Sequence, residues 1–106
     1  NIERSLQMLE KAIRLKKNDG YITDSYGWAF YKLKKYKKAK KHLELAVRLM
    51  PLDPTVNDHY GDSLWMNNQV IQARYYWNYV LKLKDTDEEL RNVIKEKIIF
   101  GVKFSS

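Results

Sequence analysis

Apolar and aromatic residues recur along this chain at spacings of three and four, the period that gathers side chains on one face of an α-helix. Ile22, Tyr26, Ala29, Phe30 and Leu33 make one stripe; Ala39, Leu43, Ala46, Val47 and Met50 make the next, which stops before Pro51. Val56, Tyr60 and Leu64, then Ala73, Trp77, Val80 and Leu81, repeat the pair. Leu90, Val93, Ile94 and Ile98 form a last stripe, and Leu6, Leu9 and Ile13 an opening one. The pattern predicts six helices near 2–17, 21–34, 37–50, 54–67, 71–84 and 87–102. Start signals agree with it. Asp53 can cap the free amides of a helix whose first residue, Pro54, has no amide to lose, and Asp19-Gly20 stands at the equivalent earlier place. Thr86, with Glu89 three residues on, reads as a capping box for the last helix.

The stripes recur as a unit of 34 residues. Shifted by that period, Asp19 meets Asp53, Asp24 meets Asp58, Tyr26-Gly27 meets Tyr60-Gly61 and Ala39 meets Ala73. The register runs backward as well, since Leu43 falls on Leu9, Ala46 on Ala12 and Arg48 on Arg14. Such a period marks helical units that cannot bury a hydrophobic face alone and must stack. It points to a binding surface rather than a catalytic centre.

Composition narrows this further. Charged residues are 31% and hydrophobic residues 44% of 106, which is too apolar for disorder and suits one domain. No apolar run nears the ~20 residues of a spanning helix, and no stretch of the given residues reads as a signal peptide, which says little of a chain expected to open partway through a repeat. The absence of cysteine excludes disulfides and thiolate chemistry. Net charge is +7, and Lys32, Lys34, Lys35, Lys37, Lys38, Lys40 and Lys41 alone sum to that value.

The spacing of small and aromatic residues resembles the tetratricopeptide repeat, whose pattern runs Trp, Leu-Gly, Tyr, Ala, Phe, Ala and a closing Pro. Residues 20–53 supply Thr23, Tyr26-Gly27, Phe30, Ala39, Leu43, Ala46 and Pro51 at those places; residues 54–87 supply Asn57, Tyr60-Gly61, Leu64, Ala73, Trp77, Val80 and Asp85. Thr23 and Asn57 depart from the pattern's Trp, Val80 from its Ala and Asp85 from its Pro. The resemblance implies an all-α solenoid of antiparallel helix pairs in a single domain, 1–106. Within it, 1–19 is the second helix of a truncated repeat, 20–53 and 54–87 are full repeats, and 88–106 is a capping helix with a tail. The wording of 24–29 and 57–62 is also similar to closing repeats of long bacterial repeat proteins, some of them envelope adaptors. That implies the C-terminal end of a longer bacterial array, in the envelope or the cytoplasm.

In this family the first helix of each unit lines a concave groove. Carried over, the groove positions are Tyr21, Asp24, Ser25, Trp28, Tyr31 and Lys32, then Thr55, Asp58, His59, Asp62, Trp65 and Met66. Three carboxylates among large aromatics predict a peptide hot spot for a basic or apolar segment. The competing reading makes Asp24 and Asp58 favourable charges near helix starts, and the tryptophans ordinary packing. Lys and Asn, which the family's chaperone-tail clamp needs, are absent where Asp24 and Trp28 stand.

The function expected is a non-catalytic scaffold or adaptor holding a protein segment in that groove. The alternative is electrostatic docking to nucleic acid or an anionic membrane through Lys34, Lys35, Lys37, Lys38 and Lys41. A solvated outer face is the plainer reading of that run. His59 with Asp62 is too few ligands for a closed metal site, and His42 on the lysine-rich face reads as solvated. No catalytic constellation stands out, so no enzyme activity, metal or cofactor is expected.

Overall fold

Four of the six helices begin on a side chain that caps them. In the computed structural model, which describes residues 1–103, Asn1 accepts from the Arg4 amide to start α1 (Ile2–Leu15). Asp19 accepts from Ile22 to start α2 (Gly20–Lys32), and Asp53 from Val56 to start α4 (Pro54–Met66). Asp87 accepts from Leu90 to start α6 (Glu88–Phe100). The expected Thr86 cap is therefore displaced by one residue. Thr86 is buried, and its hydroxyl donates to the Val80 carbonyl at 2.6 Å, which ties the link before α6 to the preceding helix. The last positions of the expected cap and tail, 104–106, lie outside the described residues.

The helices α3 (Tyr36–Leu49) and α5 (Val70–Lys82) have no side-chain cap, because each follows a tight turn. Lys34 and Asn68, one period apart, take left-handed backbone angles with φ of 61° and 64°. The amides of Lys35 and Gln69 then reach back to the carbonyls of Phe30 and Leu64, both at 2.9 Å. This is the Schellman closure, which satisfies carbonyls that a helix end leaves without partners.

Each turn folds a pair together, α2 on α3 and α4 on α5. Gly27 and Gly61 permit the close approach. A Cβ on Gly27 would stand 2.7 Å from Leu43 Cγ, and one on Gly61 would stand 2.5 Å from Trp77 Nε1. Leu43 and Trp77 are both fully buried and occupy equivalent places in the two pairs. Ala39, Ala46 and Ala73 are fully buried too, as their small size suggests. One continuous core runs from Phe30 through Leu43, Val56 and Trp77 to Ile94 on α6. Arg74 Nε fastens α6 by donating to the Ile98 carbonyl, and Arg91 does so by donating to those of Leu81 and Thr86.

His42 is not solvated as expected. Its ring packs against Tyr26 and Phe30, with centroids 4.7 and 5.4 Å away, so the helical period carries it to the edge of the core. Burial first, and the ammonium groups of Lys41 and Lys38 next, lower its pKa below the usual 6.5. At the other end α1 contributes no fully buried residue; Leu6 packs on the core while Met8 and Leu15 stay exposed.

Candidate functional site

The leading helices α2, α4 and α6 line one face of the stack, and polar side chains tie each to the next. Between α2 and α4, His59 Nδ1 lies 3.0 Å from Asp24 Oδ1 and 3.2 Å from Oδ2. Between α4 and α6, Lys97 Nζ donates to Asp58 at 2.9 Å and to both oxygens of Asp62 at 3.0 and 3.1 Å. All three carboxylate residues are largely buried.

Asp58 and Asp62, expected among the groove positions, thus share a cation supplied by the capping helix of the same chain. Two buried carboxylates sharing one ammonium still repel. Burial foremost, and then the Asp58 charge, push the Asp62 carboxyl up to about 7, against the pull of Lys97 and His59. Burial tends to lower the Lys97 pKa, but Asp62 and Asp58 outweigh it and hold the ammonium above its usual range. The cation is therefore present at neutral pH.

Aromatic rings continue the face. Trp28 stacks on His59 at 3.8 Å between centroids and on Tyr31 at 4.3 Å, with interplanar angles of 10° and 7°. Two rings so nearly centred on one indole cannot share a side, so both faces of Trp28 are covered. Tyr31 meets the edge of Tyr36, and burial, followed by Asp62, Tyr36 and Asp58, raises its hydroxyl pKa well above the ordinary value. Trp65 lies deeper. It tilts on Trp77 at 5.7 Å, carries the Arg74 guanidinium 5.1 Å over its ring, and is covered by Gly101, where any Cβ would strike the indole. Tyr21 stands exposed at the start of α2.

Two clefts open beside Trp28. One, about 390 Å³, lies between α1 and α2 and reaches from Ile2, Ser5 and Leu9 to Ser25, Trp28 and His59. The other, about 430 Å³, has Trp28, Tyr31 and Met66 in its walls and Lys32, Lys34 and Lys103 around it. Lys35, Lys37 and Lys38 line an adjoining depression with Tyr36 and Met66, while Lys41 is exposed further along α3. The lysine run thus borders the aromatic face as well as the outer surface. Among the described residues no group of three His, Cys, Asp or Glu is placed to hold a metal ion.

The site residue that sequence reasoning missed is Lys97. Its signal was available: Ile94, Lys97 and Ile98 share one face at helical spacing, and one period earlier the position is Ser63. A lysine on a buried stripe has to find carboxylates.

No protein-family profile matches the sequence, and no curated protein matches it. The fold is similar to a solved structure described as the first TPR of Spaghetti (RPAP3) bound to the HSP90 peptide SRMEEVD. The TM-score is 0.79 with 18% identity over 90% of this chain and 75% of that one. With its six helices, their pairing and the repeated Gly contacts, the chain has the fold of the tetratricopeptide repeat.

Proposed function

We propose that this chain is a non-catalytic protein-interaction module that holds a polypeptide segment on the face of α2, α4 and α6. In this reading residues 20–53 and 54–87 are its two repeats, and α6 is its capping helix. The observation that carries the reading is the half-buried stack Tyr31–Trp28–His59, flanked by open clefts on the leading-helix side. Rigid aromatic anchors beside concave, partly apolar surface suit an apolar side chain of a bound segment. The similarly folded Spaghetti domain holds a peptide, which supports the class of partner without specifying its sequence. Trp65, beneath Gly101, and Asp58 and Asp62, on Lys97, support the face from within rather than touch the ligand.

Selection of peptides from a random library, followed by titration against Trp28→Ala, tests the proposal. Ile71→Ser, at an exposed position on α5, serves as the control. Binding should fall at least about tenfold for Trp28→Ala and stay unchanged for Ile71→Ser, as a contact worth ~1.4 kcal/mol requires. Selected peptides that bind both variants like the wild type would retire the groove.

A further inference from the structure

We infer that a separate ligand site lies between the trailing helices, where three tyrosines receive a proline-rich segment in the extended polyproline II form. A cleft of about 360 Å³ opens between α3 and α5 and shares no residue with the clefts beside Trp28. Its walls are Val47 and Arg48 at the end of α3, Pro51 in the link, and Tyr75, Tyr76 and Tyr79 on α5. The repeat does not require these tyrosines. One period earlier the same places hold Lys41, His42 and Leu45, on a helix that folds against its partner in the same way. Tyr76 meets the edge of Tyr60 at 4.8 Å between centroids, as His42 meets that of Tyr26 at 4.7 Å. A histidine therefore fills this packing place, and the second repeat adds hydroxyls and a wider aromatic surface. Tyr75 is 66% exposed and crosses Tyr76 at 81°, so the two rings stand as ridges nearly at right angles.

The chemistry of the walls selects the occupant. The donors there are the tyrosine hydroxyls and the Arg48 guanidinium, which gives one N–H to Glu44 at 2.7 Å and carries others besides. Burial, and then Tyr75 and Glu44, raise the Tyr76 pKa, so its hydroxyl keeps the proton at neutral pH. The Asn57 side-chain amide, also at the cleft, is already engaged with the carbonyls of Pro51 and Asp53. Both flanking walls are helices, whose backbone groups bond within themselves, so an entering chain finds no backbone partner. An ordinary extended segment would leave buried amides unpaired there, whereas a proline has no amide to leave. An apolar helix satisfies its own amides but turns no free carbonyl toward the hydroxyls. Polyproline II leaves its carbonyls unbonded and packs its rings on aromatic side chains, so it answers donors and rings together. The occupant is a partner polypeptide; within these 106 residues the prolines are only Pro51, in the cleft wall, and Pro54, at the start of α4.

The test uses the full chain and two labelled peptides. One is an oligoproline of about ten residues, roughly three turns of the polyproline II helix. The other is an alanine-rich peptide of the same length with leucines at helical spacing. Anisotropy reads affinity, and the backbone amide resonances of Tyr75, Tyr76 and Tyr79, set against the Trp28 indole signal, report the place. Oligoproline should move the tyrosine signals, leave Trp28 still, and bind at least about tenfold tighter than the alanine-rich peptide. Tyr75→Lys/Tyr76→His installs the residues of the first repeat and should weaken oligoproline at least about tenfold with little change in melting temperature. Tyr75→Lys alone, at an exposed position that cannot unfold the chain, should weaken it in the same direction. No movement of the tyrosine signals at millimolar oligoproline overturns the inference, as does binding that Tyr75→Lys leaves unchanged. Equal or tighter binding of the alanine-rich peptide at the same signals overturns it in favour of a helical partner. Movement of Trp28 in place of the tyrosines overturns this site and leaves the leading-helix face standing.

Discussion

Replacing Lys97 with methionine keeps the length of the side chain and removes its ammonium, leaving Asp58 and Asp62 buried without their shared cation. The side chains involved are 18%, 11% and 7% exposed for Lys97, Asp58 and Asp62. Removing one partner from a buried pair costs about 3–5 kcal/mol, and the remaining solvent contact of Lys97 places the expected loss near ~3 kcal/mol at neutral pH. In a domain of this size each kcal/mol moves the melting temperature by about 4–8 °C, so a fall of more than about 10 °C is expected. The loss should depend on pH in a definite direction. Burial and Asp58 hold the Asp62 carboxyl at about 7 in the folded chain, against 3.8 ordinarily. A raised carboxyl pKa contributes stability that is complete below the unfolded value and is lost as pH rises through the folded one. Without Lys97 to lower it, Asp62 keeps its proton to higher pH still, so the damage is greatest above neutrality and shrinks on acidification. Denaturant unfolding at neutral and mildly acidic pH measures this. Asp58→Asn and Asp62→Asn added to Lys97→Met should recover most of the loss, because a neutral cluster leaves no buried charge. Equal stability of Lys97→Met and wild type at neutral pH, or a loss that does not shrink in acid, refutes the reasoning.

Further expectations concern the repeat itself. Gly61→Ala should lose about 1 kcal/mol in denaturant unfolding. The new Cβ meets the fully buried Trp77, at an overpacking cost of ~1–3 kcal/mol that exceeds the ~0.5–1 kcal/mol helix gain; a stabilised variant would contradict the close packing. Lys34→Gly should raise stability by about 0.5–1 kcal/mol, since a left-handed backbone is costly for lysine and free for glycine. A melting temperature unchanged or lowered would count against the turn geometry. His42 should titrate below 6.5 by NMR, so its contribution to stability is intact above that pH and declines as the pH falls. Lys38→Gln with Lys41→Gln should restore only part of the shift, because burial is its larger cause; complete restoration would overturn that ranking.

Much of the architecture is legible in the order of residues because it rests on local rules. Asp19 and Asp53 cap the helices they precede, and the period of 34 places Gly27 against Leu43 and Gly61 against Trp77. Short-range hydrogen bonds and repeated small-to-large contacts are properties of spacing, and spacing is written in the chain. Lys34 shows where this fails, since nothing in a lysine announces a left-handed turn that glycine usually fills. Spacing only hints at the charge of the candidate site: Lys97 shares a face with Ile94 and Ile98, which marks it as inward but names no partner. Asp58 and Asp62 lie more than thirty positions from Lys97, with 39 separating Asp58 from it and 35 separating Asp62. Whether a carboxylate greets a ligand or is already satisfied depends on which helix returns to lie beside it. Only the packing of α6 against the stack settles that, by bringing Lys97 to Asp58 and Asp62. The helices follow from the periodicity of their own residues; which of their charged groups are already paired follows from contacts between elements far apart in the chain.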